Sequence, residues 1–324
     1  MTTGYPLPAI SVGGLRKSFG DQVVLDGIDI TVEEGTIFSL LGPNGAGKTT
    51  TVQILTTLLR ADDGVIRVGG FDRNADPDSV RSIIGVTGQF SAIDELLTAR
   101  ENLLLMGDLH HLPRGDSRRL AGELLERFDL VDAADKVTST FSGGMKRRLD
   151  LAMTLVGDPR IIFLDEPTVG LDPRSRRDVW DIVRELVADG VTIFLTTQYL
   201  EEADELAHQI AVLNKGSIVA QGTADQLKRL VPGGHIRLTF ADRDALATAG
   251  DLFGGVPDYE DRTLAVASDG SVKSLRSMLD RLDDARIEPE GLSVHTPDLD
   301  DVFLTLTGHT VPEGETVPAE EIAR

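Results

Sequence analysis

The chain alternates between short, continuous runs of apolar residues and longer segments in which apolar residues recur every three or four positions. The clearest continuous runs are 37–41 (IFSLL), 161–165 (IIFLD) and 191–196 (VTIFLT). Such runs are typical of strands that are buried on both faces, and a segment with helical spacing follows each of them. The alternation predicts a mainly parallel sheet covered by helices on both sides, which is an α/β fold.

Other stretches of the same region predict different elements. Residues 9–32 have the pattern of strands joined by turns, and residues 49–59 have a helical apolar spacing. Residues 91–157 are mostly helical in pattern. Residues 209–222 predict a β-hairpin around Asn214-Lys215-Gly216.

The sequence Pro232-Gly233-Gly234 interrupts the chain before a new set of elements. The segments after it predict strands at 235–240, 263–268 and 291–296, a helix at 271–285, and a last helix with one apolar face (Leu299, Val302, Phe303, Leu306). We therefore predict a first domain at 1–232 and a small α+β domain at 233–308. The polar tail 309–324 is expected to be disordered.

Composition limits the classes of protein that fit. The 324 residues include no cysteine, so disulfides, thiolate chemistry and cysteine-based zinc sites are excluded. The first residues lack a basic segment followed by an apolar one, so no secretory signal is expected. No apolar run approaches the roughly 20 residues that span a bilayer. The sequence predicts a soluble chain that can still dock onto an embedded partner.

Charge adds two constraints. The net charge of −21 argues against nucleic acid as a partner. From residue 241 to the end there are 19 acidic and seven basic residues, and this change in composition supports a domain boundary before that point.

The strongest chemical motif is GPNGAGKT at Gly42–Thr49, between a predicted strand and a predicted helix. This spacing is that of a phosphate-binding loop, in which backbone N–H groups surround phosphates at a helix N-terminus. Lys48 is expected to reach the β- and γ-phosphates, and the Thr49 hydroxyl to bind Mg²⁺. The simpler alternative is a tight glycine turn between strand and helix.

Two carboxylates follow a second strand. Asp165 ends the run IIFLD, and Glu166 comes directly after it. Asp165 suits the Mg²⁺ shell and Glu166 suits a general base for water. Taken alone, the same residues could be an ordinary helix start with acidic side chains.

The segment FSGGMKRRLDLA predicts another helix N-terminus that faces phosphate. Ser142 is a typical N-cap residue, and Gly143 and Gly144 allow close backbone approach. A Ser-Gly-Gly triplet can also be an ordinary turn. The basic residues that follow, Lys146, Arg147 and Arg148, predict a solvated helix face without a chemical role.

The order of these motifs, with Gln89 after an apolar strand, GLDP after FLDEP, and a polar residue after FLTT, resembles the ATP-binding subunit of ABC transporters. The resemblance covers about residues 9–230. It implies a P-loop NTPase of ABC type, with a RecA-like core, an antiparallel β subdomain and a helical subdomain at about 90–158. It also implies ATP and Mg²⁺ as cofactors.

The resemblance assigns a role to each matching residue. Catalysis falls to Glu166, Gln198 and Lys48, and the metal to Thr49, Gln89 and Asp165. The residues assigned to nucleotide are Phe19, Gly42, Pro43, Asn44, Gly45, Ala46, Gly47, Lys48, Thr49, Thr50, Gln89, Ser142, Gly143, Gly144, Met145 and Asp172.

The family pattern further implies a homodimer that holds two ATP molecules head to tail. Ser142, Gly143 and Gly144 would contact the nucleotide of the other copy, and Asp172 would lie at the dimer seam. Separate transmembrane permease subunits would dock at residues 91–112. The chain would then lie at the cytoplasmic face of the membrane as a peripheral subunit.

The segments FSGGMKRRLDLA, TTQYLEEAD and LDDVFLTLTG are similar to the daunorubicin-resistance branch of drug and lipid exporters, which extends the resemblance to about residue 308. This branch implies efflux of a drug-like or lipid molecule. Two other functions stay open: a soluble ABC ATPase that does not transport, and an ATP-gated regulator. The α+β domain could extend the dimer contact or regulate it.

Two positions depart from the usual family pattern. Met145 replaces the common glutamine and is expected to pack against apolar neighbours. Gln198 replaces the common histidine, and its amide can still donate to phosphate and accept from water. Because glutamine does not titrate near neutrality, only Glu166 is left as the base, and we expect slow hydrolysis. The alternative for Gln198 is a helix cap.

Phe19 follows the first predicted strand, at the position where the family stacks an aromatic ring on adenine. Stacking of a base on an aromatic ring contributes roughly 1–3 kcal/mol in nucleic-acid sites. The alternative for Phe19 is a place in the core.

Overall fold

The computed structural model describes residues 7–88, 92–230, 234–255, 257–268, 271–295 and 298–307. It divides into two compact units, Met1–Ala224 and Asp225–Arg324. The predicted boundary after residue 232 and the predicted tail at 309–324 both lie outside the described residues.

The first unit is built from alternating strands and helices. Its strands are β1 (Ile10–Phe19), β2 (Gln22–Val32), β3 (Ile37–Leu41), β4 (Asp63–Val68), β5 (Phe71–Asp72), β6 (Ile84–Thr87), β7 (Ile161–Asp165), β8 (Thr192–Thr197), β9 (Gln209–Asn214) and β10 (Ser217–Gly222). Its helices are α1 (Lys48–Leu55), α2 (Pro77–Ile83), α3 (Ala99–Leu109), α4 (Arg114–Arg127), α5 (Gly143–Thr154), α6 (Pro173–Ala188) and α7 (Leu200–Leu206), and α8 (Ala224–Lys228) lies at the boundary.

The central sheet has six strands in the order β10-β9-β3-β8-β7-β6. Each strand from β9 to β6 in this order pairs with its neighbour in parallel. At the other edge, β10 forms an antiparallel hairpin with β9. The mainly parallel sheet and the hairpin at 209–222 are therefore confirmed. Because β3, β8 and β7 are neighbours, their carboxyl ends lie at one edge of the sheet.

Both faces of this sheet are buried, which explains the unbroken apolar strands. On β7, Ile162 and Leu164 belong to one core cluster, and Ile161 and Phe163 belong to another. The second cluster also contains residues of β1, β2 and β4, which form an antiparallel sheet with β5 in the order β2-β1-β4-β5. An antiparallel sheet therefore covers one face of the central sheet.

The opposite face is covered mainly by the helices between β6 and β7. Residues of α3, α4 and α5 share the first cluster with Leu195 of β8 and Trp180 of α6. α3 begins with a capping box, in which Thr98 and Glu101 each accept the other's backbone N–H. This helical layer places the N-terminus of α5 near the carboxyl edge of the sheet, where the two line one cavity.

The second unit has its own sheet and core. Its elements are β11 (His235–Thr239), α9 (Arg243–Phe253), β12 (Pro257–Asp258), β13 (Thr263–Ala267), α10 (Val272–Asp284), β14 (Gly291–His295) and α11 (Leu299–Thr307). The strand order is β12-β13-β11-β14, with antiparallel pairs. This is an α+β arrangement, with Leu299, Val302 and Phe303 buried on α11.

Within the ranges given above, no helix is long and apolar enough to cross a bilayer.

Candidate functional site: a phosphate loop beside two carboxylates

The loop between β3 and α1 needs glycine at two positions, because a Cβ atom there would collide with neighbouring residues. A Cβ atom on Gly42 would lie 2.4 Å from the carbonyl oxygen of Leu213, and one on Gly47 would lie 2.7 Å from Leu25 Cδ2. Gly47 also has φ of +111°, a conformation that other residues rarely adopt. The glycines therefore let this loop pass close to the neighbouring strands.

Hydrogen bonds fix the loop at both ends. Gly42 N–H donates to the Thr197 carbonyl at 3.2 Å, and the Ala46 carbonyl accepts from Gly216 N–H at 3.2 Å. The Thr51 N–H donates to Gly47 in the first turn of α1. A helix leaves the backbone N–H groups of its first turn without partners inside the helix, so the N–H groups that precede Thr51 can bind a ligand.

A cleft of about 430 Å³ opens at this helix N-terminus. It is lined by Val24, Asn44, Gly45, Gly47, Lys48, Thr49, Thr50 and Glu166. Backbone N–H groups, a hydroxyl and an ammonium thus share one concave surface, which is the donor set that a polyphosphate requires.

Lys48 and Glu166 form a buried ion pair across the cleft. Lys48 Nζ lies 3.1 Å from Glu166 Oε1, and the two side chains are 4% and 10% exposed. The same ammonium donates to the Gly42 carbonyl at 2.8 Å. The phosphate-loop lysine and the candidate base therefore contact each other directly.

Asp165 ends β7, and Glu166 follows it, as the sequence predicts. The Thr196 hydroxyl of β8 donates to Asp165 Oδ1 at 2.5 Å. Glu166 N–H donates to both the carbonyl and the hydroxyl of Thr196, each at 3.1 Å. Thr196 therefore fixes both acidic residues, a role that the sequence analysis missed.

Gln198 is half-buried just past the carboxyl end of β8. The N-cap of the next helix, α7, is Tyr199, and it makes no side-chain cap hydrogen bond. The helix-cap alternative for Gln198 is therefore wrong. Its neighbour Thr197 holds Gly42 of the phosphate loop, so Gln198 lies at the same edge as that loop.

Phe19 lies at the end of β1 and is 50% exposed, so a place in the core is also wrong. Lys17 Nζ lies 5.3 Å from the centre of its ring. Gln89, which was assigned to the metal and nucleotide, lies outside the described residues.

The N-terminus of α5 carries the Ser-Gly-Gly triplet. Ser142 is the N-cap, and its hydroxyl accepts from Met145 N–H at 3.3 Å. Ser142 and Gly143 are exposed, whereas Met145 packs against the first core cluster as expected. Gly144 faces Ser175 at the start of α6.

Asp172 is the N-cap of α6. Its carboxylate accepts from the N–H groups of Arg174 and Ser175 and from the Ser175 hydroxyl. These hydrogen bonds, above all the one from the Ser175 hydroxyl, hold the pKa of Asp172 below its usual value. Asp172 is thus an anion at neutral pH, close to the start of α5.

The predicted solvated face on α5 is wrong for Arg147. Its side chain is only 12% exposed and pairs with Asp150 at 3.1 Å. Burial lowers its pKa, against the attraction of the Asp150, Glu202 and Asp165 carboxylates. Helical spacing itself indicates a buried position, because Arg147 stands three and four residues before the buried Asp150 and Leu151.

Glu202 on α7 is the second buried charge that sequence reasoning missed. Its Oε1 accepts from the Thr168 hydroxyl at 2.9 Å and from Trp180 Nε1–H at 3.0 Å. Burial raises the pKa of this carboxyl. Glu202 lies four residues before the buried Leu206, so helical spacing already places it on the apolar face of α7.

The residues fit Mg²⁺ only together with other ligands. Thr49 lines the cleft, and Asp165 lies at the end of β7, but the described residues contain no group of three His, Cys, Asp or Glu that could hold a metal. Mg²⁺ commonly takes one or two protein ligands and completes its shell with phosphate oxygens and water.

Comparison with known proteins shows which family the chain belongs to. The model described as "ABC transporter" matches residues 25–169. Daunorubicin resistance ATP-binding protein DrrA3 of Streptomyces coeruleorubidus is 48% identical over 303 residues, covering 93% of this chain and 96% of that protein. The chain belongs to the ABC transporter family of ATP-binding proteins.

Other members of the family are similar to this chain over most of its length. Nod factor export ATP-binding protein I of Ralstonia nicotianae is 38% identical over 306 residues, which cover 93% of this chain and 94% of that protein. A solved ATP-binding cassette, a dimer in a post-hydrolysis state with ADP and Pi, has a TM-score of 0.60 and 25% identity over 66% of this chain and 98% of its own.

Membership assigns an activity to the chain. ATP hydrolysis is the characteristic activity of ABC cassettes, so this chain is an ATPase. The matched residues 25–169 contain the phosphate loop, the start of α5 and both carboxylates at the end of β7.

Proposed function

We propose that this chain is the ATP-hydrolysing subunit of an exporter, and that it drives efflux of a drug-like or lipid molecule through separate transmembrane subunits. The names of the relatives support export, since they refer to daunorubicin resistance and to Nod factor export. The observation that carries the ATPase part is the Lys48–Glu166 pair, which joins the phosphate loop to the candidate base.

The contacts within the cleft and the family pattern together support a role for each residue. Lys48 moves from Glu166 to the β- and γ-phosphates when ATP binds, because the phosphates carry more negative charge than one carboxylate. Glu166 is then free to accept a proton from water, and Gln198 orients that water. Mg²⁺, held by Thr49, Asp165 and Gln89, would neutralise phosphate charge.

The exposed N-terminus of α5 supports a dimer as the working unit. Ser142 and Gly143 lie on the surface, and with Gly144 they form a helix N-terminus suited to an anion from another copy. Asp172 stands close by, at the start of α6. In the homodimer these residues would complete the partner's nucleotide site, with Phe19 stacked on adenine.

Exposed apolar side chains support docking of a membrane partner in the region 91–112. Leu96 is 87% exposed, Leu105 41% and Leu109 63%. Leu105 and Leu109 stand one turn apart on α3 and so share one helix face, and contiguous exposed apolar surface marks interaction sites. We propose that the permease binds here and holds the ATPase at the cytoplasmic face of the membrane.

The test is to capture tagged Glu166→Gln protein from detergent-solubilised membranes of its own cell, with ATP present. Glu166→Gln keeps the size of the side chain but cannot accept the proton from water, so the ATP-bound dimer should persist and turnover should fall by roughly 10²–10⁴. Glu201→Gln, an exposed neighbour on α7, is the control and should keep full turnover.

Capture of a multi-helix membrane protein would support the exporter and identify its permease. Capture of cytosolic partners alone would instead favour an ATPase that does not transport. Full turnover in Glu166→Gln would overturn the assignment of the base.

A further inference from the structure

Gln198 stands between the last residue of β8, Thr197, and the N-cap of α7, Tyr199. These three residues form the β8–α7 connection. The Thr197 carbonyl accepts from Gly42 N–H of the phosphate loop at 3.2 Å, and the Thr197 hydroxyl accepts from Tyr199 N–H at 3.0 Å. The residue before Gln198 is therefore bonded both to the phosphate loop and to the residue after it.

The ring of Tyr199 is in turn held by Arg176, near the start of α6. The guanidinium carbon of Arg176 lies 4.8 Å from the centre of this ring, which is the geometry of a cation–π contact. Arg176 Nη1 also lies 3.4 Å from Glu201 Oε2, but that carboxylate is 64% exposed, and such a pair contributes little. The contact with the ring is therefore the main link between Arg176 and the β8–α7 connection.

Helix stability alone explains the position of Arg176 poorly. A cation near the N-terminus of a helix is disfavoured by the helix dipole, and Arg176 is only three residues after Pro173, where α6 begins. Its buried Nε–H group has no hydrogen-bond acceptor in the part of the chain that the structure describes. The Tyr199 ring and the attraction of the buried Glu202 carboxyl compensate for this position.

A second arginine of α6 bridges to a later turn of α7. Arg184 Nη2 lies 3.1 Å from Glu205 Oε2, and the two side chains are 43% and 56% exposed. Arg184 stands eight residues after Arg176, and Glu205 stands four residues after Glu201. Of these two bridges between α6 and α7, the one at Arg176 contacts the residue next to Gln198.

We propose that Arg176 is a positioning residue for Gln198. By holding the Tyr199 ring against α6, it fixes the β8–α7 connection and so the direction in which the Gln198 side chain leaves the end of β8. A loosened connection would misplace the amide relative to the attacking water. The effect on hydrolysis rests on the role proposed above for Gln198, whereas the contact between Arg176 and Tyr199 does not depend on it.

The test compares three single variants of the full-length protein and one combination. Arg176→Met removes the cation and keeps an unbranched side chain, and Arg176→Lys restores a cation that can lie over the ring. Arg184→Met removes the second bridge between the same helices and is the matched control. Arg176→Met is also combined with Gln198→Ala, because the effects of residues that act through one another are not additive.

Two readouts are measured: hydrogen exchange at the Tyr199 amide, and kcat and KM for ATP. In Arg176→Met we expect this amide to exchange roughly tenfold faster, since the connection opens more easily. We expect kcat to fall about fivefold and KM to change less than about twofold, because the amide acts on the reacting water rather than on ATP binding. Arg176→Lys should recover kcat to within about twofold, and Arg184→Met should match the unmodified protein in both readouts.

In Gln198→Ala protein, adding Arg176→Met should lower kcat by less than about twofold. A full fivefold loss in that background would overturn the proposal, because Arg176 would then act by another route. Unchanged exchange at Tyr199 in Arg176→Met, or equal losses of kcat in Arg176→Met and Arg184→Met, would overturn it as well. If Gln198→Ala alone kept full turnover, the role proposed for Gln198 would fail, yet faster exchange at Tyr199 would still establish that Arg176 holds the connection.

Discussion

Glu166 has a backbone conformation that glutamate seldom adopts, with φ of +51°. A left-handed conformation costs about 1–2 kcal/mol for a residue with a Cβ atom. Two hydrogen bonds from its N–H group to Thr196 hold this conformation, and the Thr196 hydroxyl also donates to Asp165. One threonine on the neighbouring strand thus contacts the carboxylate of Asp165 and fixes the backbone of Glu166.

Thr196→Val should therefore lower kcat for ATP by roughly tenfold, because it removes the hydroxyl that orients Asp165 and Glu166 and keeps the shape of the side chain. Thr192→Val is the matched control, since Thr192 is buried at the opposite end of β8 and accepts from Gly35 N–H. Both variants should lose about 1 kcal/mol of stability, but only Thr196→Val should lose activity. Equal kcat values would contradict this role.

Residues that act within a local motif could be predicted from the sequence, and residues that act across strands could not. The phosphate loop, Asp165 and Glu166 each follow a strand in an ordered pattern. The role of Thr196 depends on its register opposite Asp165, between strands about 30 residues apart in the chain. The prediction for Arg147 is wrong because a run of three basic residues resembles a solvated face, whereas this part of α5 is packed against the core.

The contact between α5 and α6 depends on one glycine. A Cβ atom on Gly144 would lie 2.6 Å from Ser175 Oγ and 3.0 Å from Ser175 Cβ. On Gly143 the nearest atom would be Leu171 Cδ2 at 3.4 Å, a flexible end that can move. The same substitution at the two neighbouring positions therefore has different structural effects.

We expect Gly144→Ala to destabilise the protein by about 1–3 kcal/mol, as overpacking between elements usually does. Gly143→Ala should change stability by less than about 0.5 kcal/mol, as is usual for surface positions. Urea denaturation of both variants tests this difference. Equal losses of stability would show that α5 can shift away from Ser175 without cost.

Glu202 joins three elements at one buried point. It belongs to α7, accepts from Trp180 of α6, and accepts from Thr168 in the loop after Glu166. Because burial raises its pKa above the ordinary 4.5, the folded protein binds this proton more tightly than the unfolded chain does. The contribution of Glu202 to the free energy of unfolding is therefore fully present below pH 4.5. It is lost as the pH rises through the pKa that Glu202 has in the folded protein.

Glu202→Gln should therefore gain stability relative to the unmodified protein as the pH rises from 4.5 to 8. The glutamine carbonyl can still accept from Thr168 and Trp180, and it carries no charge to bury. Thermal unfolding across this pH range measures the effect. Glu201→Gln, at an exposed position on the same helix, should show no such trend, and a flat difference for Glu202→Gln would contradict the buried-proton account.

At the scale of elements, the sequence predicted strand type better than helix ends. The continuous apolar runs became β3, β7 and β8 because both faces of the sheet are buried. The helix predicted for residues 49–59 ends at Leu55, and Thr57 has a left-handed φ of +68°. Apolar spacing alone does not mark such an end, because Leu58 and Leu59 continue the pattern beyond the helix.

The whole molecule consists of two units with separate apolar cores. The two large clusters of the first unit contain residues up to Leu206 and Leu213, and the cluster of the second unit contains residues from Ile236 to Ile287. The candidate catalytic and phosphate-binding residues that the structure describes all belong to the first unit. The separate domain at the C-terminus stays a prediction about independent folding, and it can be tested directly.

A fragment of residues 1–230 should fold cooperatively and hydrolyse ATP with kcat within roughly threefold of the full chain, because its cores and its cleft are complete. Circular dichroism melting and a phosphate-release assay measure the two properties. The fragment 234–324 is the counterpart and should melt on its own. Loss of cooperative melting in 1–230 would show that the first unit needs the second one to fold. Intact melting with lost turnover would instead favour a regulatory role for the α+β unit, or one in the dimer contact.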